Sequence, residues 1–132
     1  MKATDLMIGD WVKCTDPRCE GHQVDLIDNG NEEVGLDGEI DNFENIIPIP
    51  LTPEILEKNF GKPYPRGGFH NYRMEKDETI AFVIEDRRVS AAPDNRVVFC
   101  RVPGTYICDV NYVHELQHAL RLCGIDKELT LF

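Results

Sequence analysis

The chain has 132 residues, 42% of them hydrophobic and 29% charged, with a formal net charge of −10. This balance excludes a disordered chain, and the length allows one ordinary domain or two very small ones. No stretch approaches ~18 apolar residues and no apolar run follows a basic head at the start, so a cytoplasmic protein without a membrane span is expected.

The charge is unevenly spread. Residues 1–60 carry fourteen acidic and four basic side chains, whereas residues 61–132 carry ten of each. Two units with different surfaces are expected, an acidic one and a neutral one. The acidic half repels phosphate backbones, so nucleic acid is not expected to bind there. Its charge reads first as a solubilising face and second as a docking surface for a basic protein. The five cysteines (Cys14, Cys19, Cys100, Cys108 and Cys123) are expected to be reduced. Cys14, Cys19 and His22 suggest at most half a metal site, because no C-x-x-C pair accompanies them.

In chain order, four short strands are predicted within residues 1–50: Asp10 to Cys14, Gln23 to Asp28, Glu33 to Asp37 and Phe43 to Ile47. Asn29-Gly30 and Gly38 mark turns. Strands this short and this regularly spaced suit a small SH3-like β-barrel, with Trp11 as its plug. Residues 51–132 read as an α+β module. Thr52 caps a helix over 52–60 that begins with Pro53 and ends at Gly61. GKPYPRGG (61–68) reads as a loop. Strands follow at Phe69 to Met74, Thr79 to Ile84, Arg96 to Val102 and Thr105 to Asp109. A helix over 111–124 capped by Asn111 comes next, and Glu128 to Phe132 could return as an edge strand. The fold class is thus α+β: a barrel module, then antiparallel strands flanked by two helices. Arg66, Arg73, Arg87, Arg88, Arg96 and Arg101 are scattered through the second module, and on one sheet face they would hold an anionic ligand.

The final helix carries His114-Glu115-Leu116-Gln117-His118, a match to the H-E-x-x-H pattern of zinc metallopeptidases. At 100° per residue Tyr112, Val113, Ala119, Leu120 and Cys123 fall within about 60° of Leu116 and form an apolar stripe. His114 and His118 lie about 160° away on either side, beside Gln117 and Arg121, and are expected to look into water. A catalytic zinc needs three protein ligands and an open position. Only two ligands and a base, Glu115, can be named, and just fourteen residues follow His118. The preferred reading has no metal and no catalytic residue, with His114, Glu115, Gln117, His118 and Arg121 as candidates for a binding face. The rival is a minimal zinc-dependent hydrolase with His114 and His118 as ligands and Glu115 as general base.

Three stretches carry a resemblance: Leu6-Met7-Ile8-Gly9-Asp10-Trp11-Val12, Ile47-Pro48-Ile49-Pro50-Leu51-Thr52-Pro53-Glu54-Ile55-Leu56 and Tyr112-Val113-His114-Glu115-Leu116-Gln117. Through them nearly the whole chain resembles a family of small uncharacterised proteins of gut bacteria, their phages and mobile elements. That family has no assigned activity, so the resemblance brings no catalytic residue. It shares the V-H-E-L-Q helix and often has another residue at the place of His118, which implies that it does not rest on a metal pair. The expected function is therefore a non-enzymatic accessory protein that binds a macromolecule, an unidentified protein first. The alternatives are the zinc hydrolase and a nucleic-acid accessory protein acting through the arginines of the second module.

Overall fold

The computed structural model describes residues 1–2, 5–66, 68–76, 79–89, 95–102 and 104–131, Lys76 by its backbone alone. It is an α+β protein of two five-stranded antiparallel sheets and two helices. Among the described residues no helix is long and apolar enough to cross a membrane. The chain divides into two units, Met1–Pro50 with Tyr112–His114, and Leu51–Asn111 with Glu115–Phe132.

In the first unit β1 (Trp11–Cys14), β2 (His22–Asp28), β3 (Glu33–Leu36), β4 (Glu39–Asn42) and β5 (Ile46–Pro48) form a sheet ordered β4-β3-β2-β1-β5. The core is Leu6, Val12, Val24, Val34, Leu36, Phe43 and Ile46. Side chains alternate along a strand, so with Val12 fully inside, Trp11 is turned to the other face and is only half-buried. Trp11 is therefore not the plug. The predicted strand over Phe43 to Ile47 is also corrected. Phe43–Asn45 is a turn of 3₁₀ helix, and only Ile46 onward is strand. In a strand Phe43 and Ile46 would face opposite sides; a three-residue turn brings both into the core. The strand that pairs with β3 is instead β4, whose four residues are mostly exposed.

The β3–β4 turn is Asp37-Gly38, both at positive φ (50° and 89°), which is the two-residue geometry that matches sheet twist. His22 Nδ1 lies 2.8 Å from an Asp37 carboxylate oxygen, and the Gly38 N–H donates to Asp25 Oδ2 at 2.9 Å. The Asn29-Gly30 turn is looser, spanning four residues between the paired Asp28 and Glu33. Pairing of β2 with β3 slips between Val24 and Leu26, a bulge that bends β2. Gly35 lies under that bend. A Cβ there would meet the Asp25 carboxylate and lie 2.9 Å from Leu26 Cβ.

In the second unit β6 (Tyr64–Arg66), β7 (Phe69–Lys76), β8 (Thr79–Asp86), β9 (Val97–Arg101) and β10 (Thr105–Asp109) form a meander in the order β10-β9-β8-β7-β6. The strand β6 falls where a loop is expected. Helix α1 (Pro53–Phe60) is capped as read: the Thr52 hydroxyl accepts the Ile55 N–H at 3.2 Å, Pro53 opens the helix and Gly61 closes it at φ 81°. Tyr72, Phe82, Ile84 and Phe99 are buried, with Phe82 and Phe99 stacked 5.4 Å apart. No strand forms over residues 125–131, and Phe132 lies outside the described residues. This segment is fastened by one side chain instead. Asn59 donates from Nδ2 to the Thr130 carbonyl (2.9 Å) and accepts the Thr130 N–H (2.8 Å), copying a strand's pair of bonds.

Candidate ligand-binding face

Helix α2 (Val113–Leu122) carries the H-E-x-x-H residues. Of its apolar stripe, Val113, Leu116, Ala119 and Leu120 are buried, whereas Tyr112 is exposed. The outward-looking polar face fails at two positions. His114 and Gln117 are each only 7% exposed. The reason is angular: together with the apolar stripe they make a buried arc of about 220° at 100° per residue, far wider than the hydrophobic pattern alone. Glu115 and His118 are half-buried, and Arg121 and Leu122 are exposed. The five binding-face candidates therefore do not share one exposure, and His114, stacked near Tyr112 at 6.1 Å, is covered.

The helix start also differs from expectation. The Asn111 side chain does not cap it but accepts the Val97 N–H at 3.3 Å. Glu115 supplies the local bond, its Oε1 accepting the Asn111 N–H at 3.1 Å. A carboxylate in the first turn also meets the positive end of the helix. The residue that a hydrolase would use as base is thus tied to the helix entry. Among the described residues no group of three or more His, Cys, Asp or Glu side chains converges as a metal site. Near Cys14 and Cys19, the Cys19 sulfur accepts the Cys14 N–H at 3.0 Å, and burial is the main influence raising the Cys19 thiol above its ordinary range.

The scattered arginines do converge. One face of the second sheet forms an open cavity of about 450 Å³. Cross-strand pairing explains how. Tyr64 lies opposite Asn71, which lies opposite Glu85, and Arg66 lies opposite Phe69. In the next row Arg73 lies opposite Val83, Val83 opposite Cys100, and Cys100 opposite Tyr106. On β7 and β8 the intervening residues Tyr72, Met74, Phe82 and Ile84 are buried on the other side of the sheet.

The electrostatics of this face are uneven. Glu85 is paired with Arg87 at 2.6 Å, and the Arg87 guanidinium also sits 5.5 Å from the Phe69 ring. Asp109 is matched by Arg96 at 2.8 Å and by the Tyr106 hydroxyl, which donates at 2.9 Å. The Arg96 bond is the main influence holding the Asp109 carboxyl below its usual range. Arg73 stacks on Tyr64 with 3.8 Å between guanidinium carbon and ring centroid. Arg66 and Arg73 form no ion pair among the described residues, whereas the Arg101 guanidinium lies over Phe82 at 6.0 Å and so belongs to the other side of the sheet. Arg88 is not part of the face; it is bound to the fully buried Asp86.

Two further features look toward a ligand. Asn71 is only 6% exposed, lines the cavity floor, and its carboxamide makes no hydrogen bond among the described residues. Tyr64 and Tyr106, on opposite edge strands, are 52% and 53% exposed. The Cys100 thiol on the floor is raised by burial first and by the Glu85 charge second, which keeps it protonated rather than nucleophilic. Neither tyrosine is singled out by the sequence pattern. The available signal was Tyr64-Pro65-Arg66, since proline in a short alternating run marks an edge strand. Compared with protein-family models, curated proteins and solved structures, the chain matches none of them.

Proposed function

We propose that this is a non-enzymatic binding protein whose second unit holds an anionic macromolecule on the open face of its sheet. The observation that carries this reading is the surplus of guanidinium there: Arg66 and Arg73 lack a carboxylate partner among the described residues in a chain that is acidic overall. Exposed guanidinium groups, one of them stacked on an aromatic ring, present a planar fork suited to phosphate-like anions. The cavity thiol, Cys100, is raised rather than lowered, so it is not an activated nucleophile. Assignment to an accessory protein of phage or mobile-element type rests on the three motifs quoted above. For the first unit we infer an SH3-like barrel. Its support is the strand order β4-β3-β2-β1-β5, the bent β2 and the 3₁₀ turn before β5.

The test is chromatography on immobilised heparin, a polyanion. Despite its net charge of −10, the protein should be retained at low salt. The Arg66→Ala/Arg73→Ala double variant, shown by circular dichroism to be folded, should pass through. Passage of the wild-type protein, or equal retention of the variant, would overturn the reading.

A further inference from the structure

We infer that the anion taken by this face is single-stranded nucleic acid, a reading that rests on the anion-binding assignment and adds the ligand class to it. A polyanion recognised by charge alone calls for cations only. This face adds exposed rings at both edges: Tyr64 on β6 and Tyr106 on β10. Four strand spacings of ~4.8 Å place the two edges about 19 Å apart, so a ligand meeting both rings must be extended. Each ring has a guanidinium beside it. Arg73 lies 3.8 Å over Tyr64 and carries no ion pair among the described residues, whereas Arg96, 5.8 Å from Tyr106, is paired with Asp109, so Arg66 and Arg73 are the cations left for phosphates. Such alternation of ring and cation suits a strand whose unpaired bases stack while its phosphates meet guanidinium groups.

The floor distinguishes this ligand from an acidic peptide. Asn71 brings an amide donor and an amide acceptor to a nearly buried position with no bond among the described residues. Glu85, paired opposite Asn71, adds an acceptor held by Arg87. Donor and acceptor side by side suit a base edge, whereas carboxylates only accept and offer Glu85 no donor. A duplex hides its base faces within the stack, so it can use the cations but not the rings. The acidic first unit opposes any phosphate chain, so affinity must come from this face alone.

The experiment uses the full chain and fluorescein-labelled, mixed-sequence 12-nucleotide single strands of DNA and RNA, a duplex of the same length, and a polyglutamate peptide as competitor. Single strands should bind at least about tenfold tighter than the duplex, and the peptide should not displace them. Tyr64→Ala and Tyr106→Ala should each weaken single-strand binding by about five- to hundredfold. Tyr64→Phe, which keeps the ring, should retain it. Heparin retention of the wild-type protein, measured alongside, reports the anion-binding reading separately. Equal binding of duplex and single strand, unaltered binding by the tyrosine-to-alanine variants, or displacement by polyglutamate would each remove single-stranded nucleic acid as the ligand. With heparin retention intact, the anion-binding reading would survive that result. Loss of heparin retention by the wild-type protein would remove both.

Discussion

At Asp86 a carboxylate has been taken fully out of water, and among the described residues one guanidinium, that of Arg88, compensates it. Arg88 donates from its backbone N–H, Nε and terminal nitrogen to the two carboxylate oxygens, and its other terminal nitrogen donates to the Leu51 carbonyl at 2.7 Å. The hydrogen bonding to Asp86 is the main influence raising the Arg88 guanidinium above its ordinary range. Removing one partner from such a pair leaves a buried charge alone. Arg88→Ala should therefore cost about 3–5 kcal/mol in urea denaturation. A loss below about 1 kcal/mol would mean that the pair behaves as a surface ion pair. Arg87, one residue away, illustrates the contrast: its carboxylate partner Glu85 lines the open cavity.

For the elements, what the sequence made legible was local. The cap, opening proline and closing glycine of α1 all lie within ten residues and behave as their chemistry dictates. The strands β2, β7 and β8 follow from alternation. What was not legible depends on partners far along the chain. β4 contains one apolar residue, Ile40, which is exposed, so no pattern announces it; the Asp37-Gly38 turn folds it onto β3. At α2 the hydrophobic pattern located the inner stripe but not the covering of His114 and Gln117, because polar residues buried by tertiary structure leave no periodic trace. The same helix yields a prediction. Glu115→Ala should destabilise the protein by about 0.5–2 kcal/mol in thermal denaturation, as loss of a helix-start bond does. Glu115→Gln should keep most of that stability, since the amide oxygen still accepts the Asn111 N–H. A stability change of zero in Glu115→Ala would contradict the bond's structural role and return the side chain to the base reading.

Across the whole molecule the charge imbalance was legible from composition, but the arginine-rich face was not. Arg66, Arg73 and Tyr106 are brought together by strand register over forty residues of sequence. By unit, residues 1–50 with 112–114 carry twelve acidic and three basic side chains, against twelve and eleven in the remainder. Self-repulsion in the first group lowers stability and is screened by salt. Raising NaCl from ~0.01 M to ~1 M shortens the screening length from about 30 Å to about 3 Å. The melting temperature at pH 7 should therefore rise by a few degrees while polyanion binding weakens. A melting temperature that falls with salt would show that attraction between exposed charges outweighs the repulsion.

The position of Trp11 has a practical consequence. It is the sole indole in the chain, half-buried on β1, so its emission is an intrinsic optical label for the first unit. The emitters of the second unit are phenols, Tyr64, Tyr72 and Tyr106. Selective indole excitation follows the melting of one unit, and phenol emission, three of whose four sources lie in the other (Tyr112 is in the first), follows ligand stacking there, so a titration and an unfolding curve can be recorded in separate colours on the unlabelled protein.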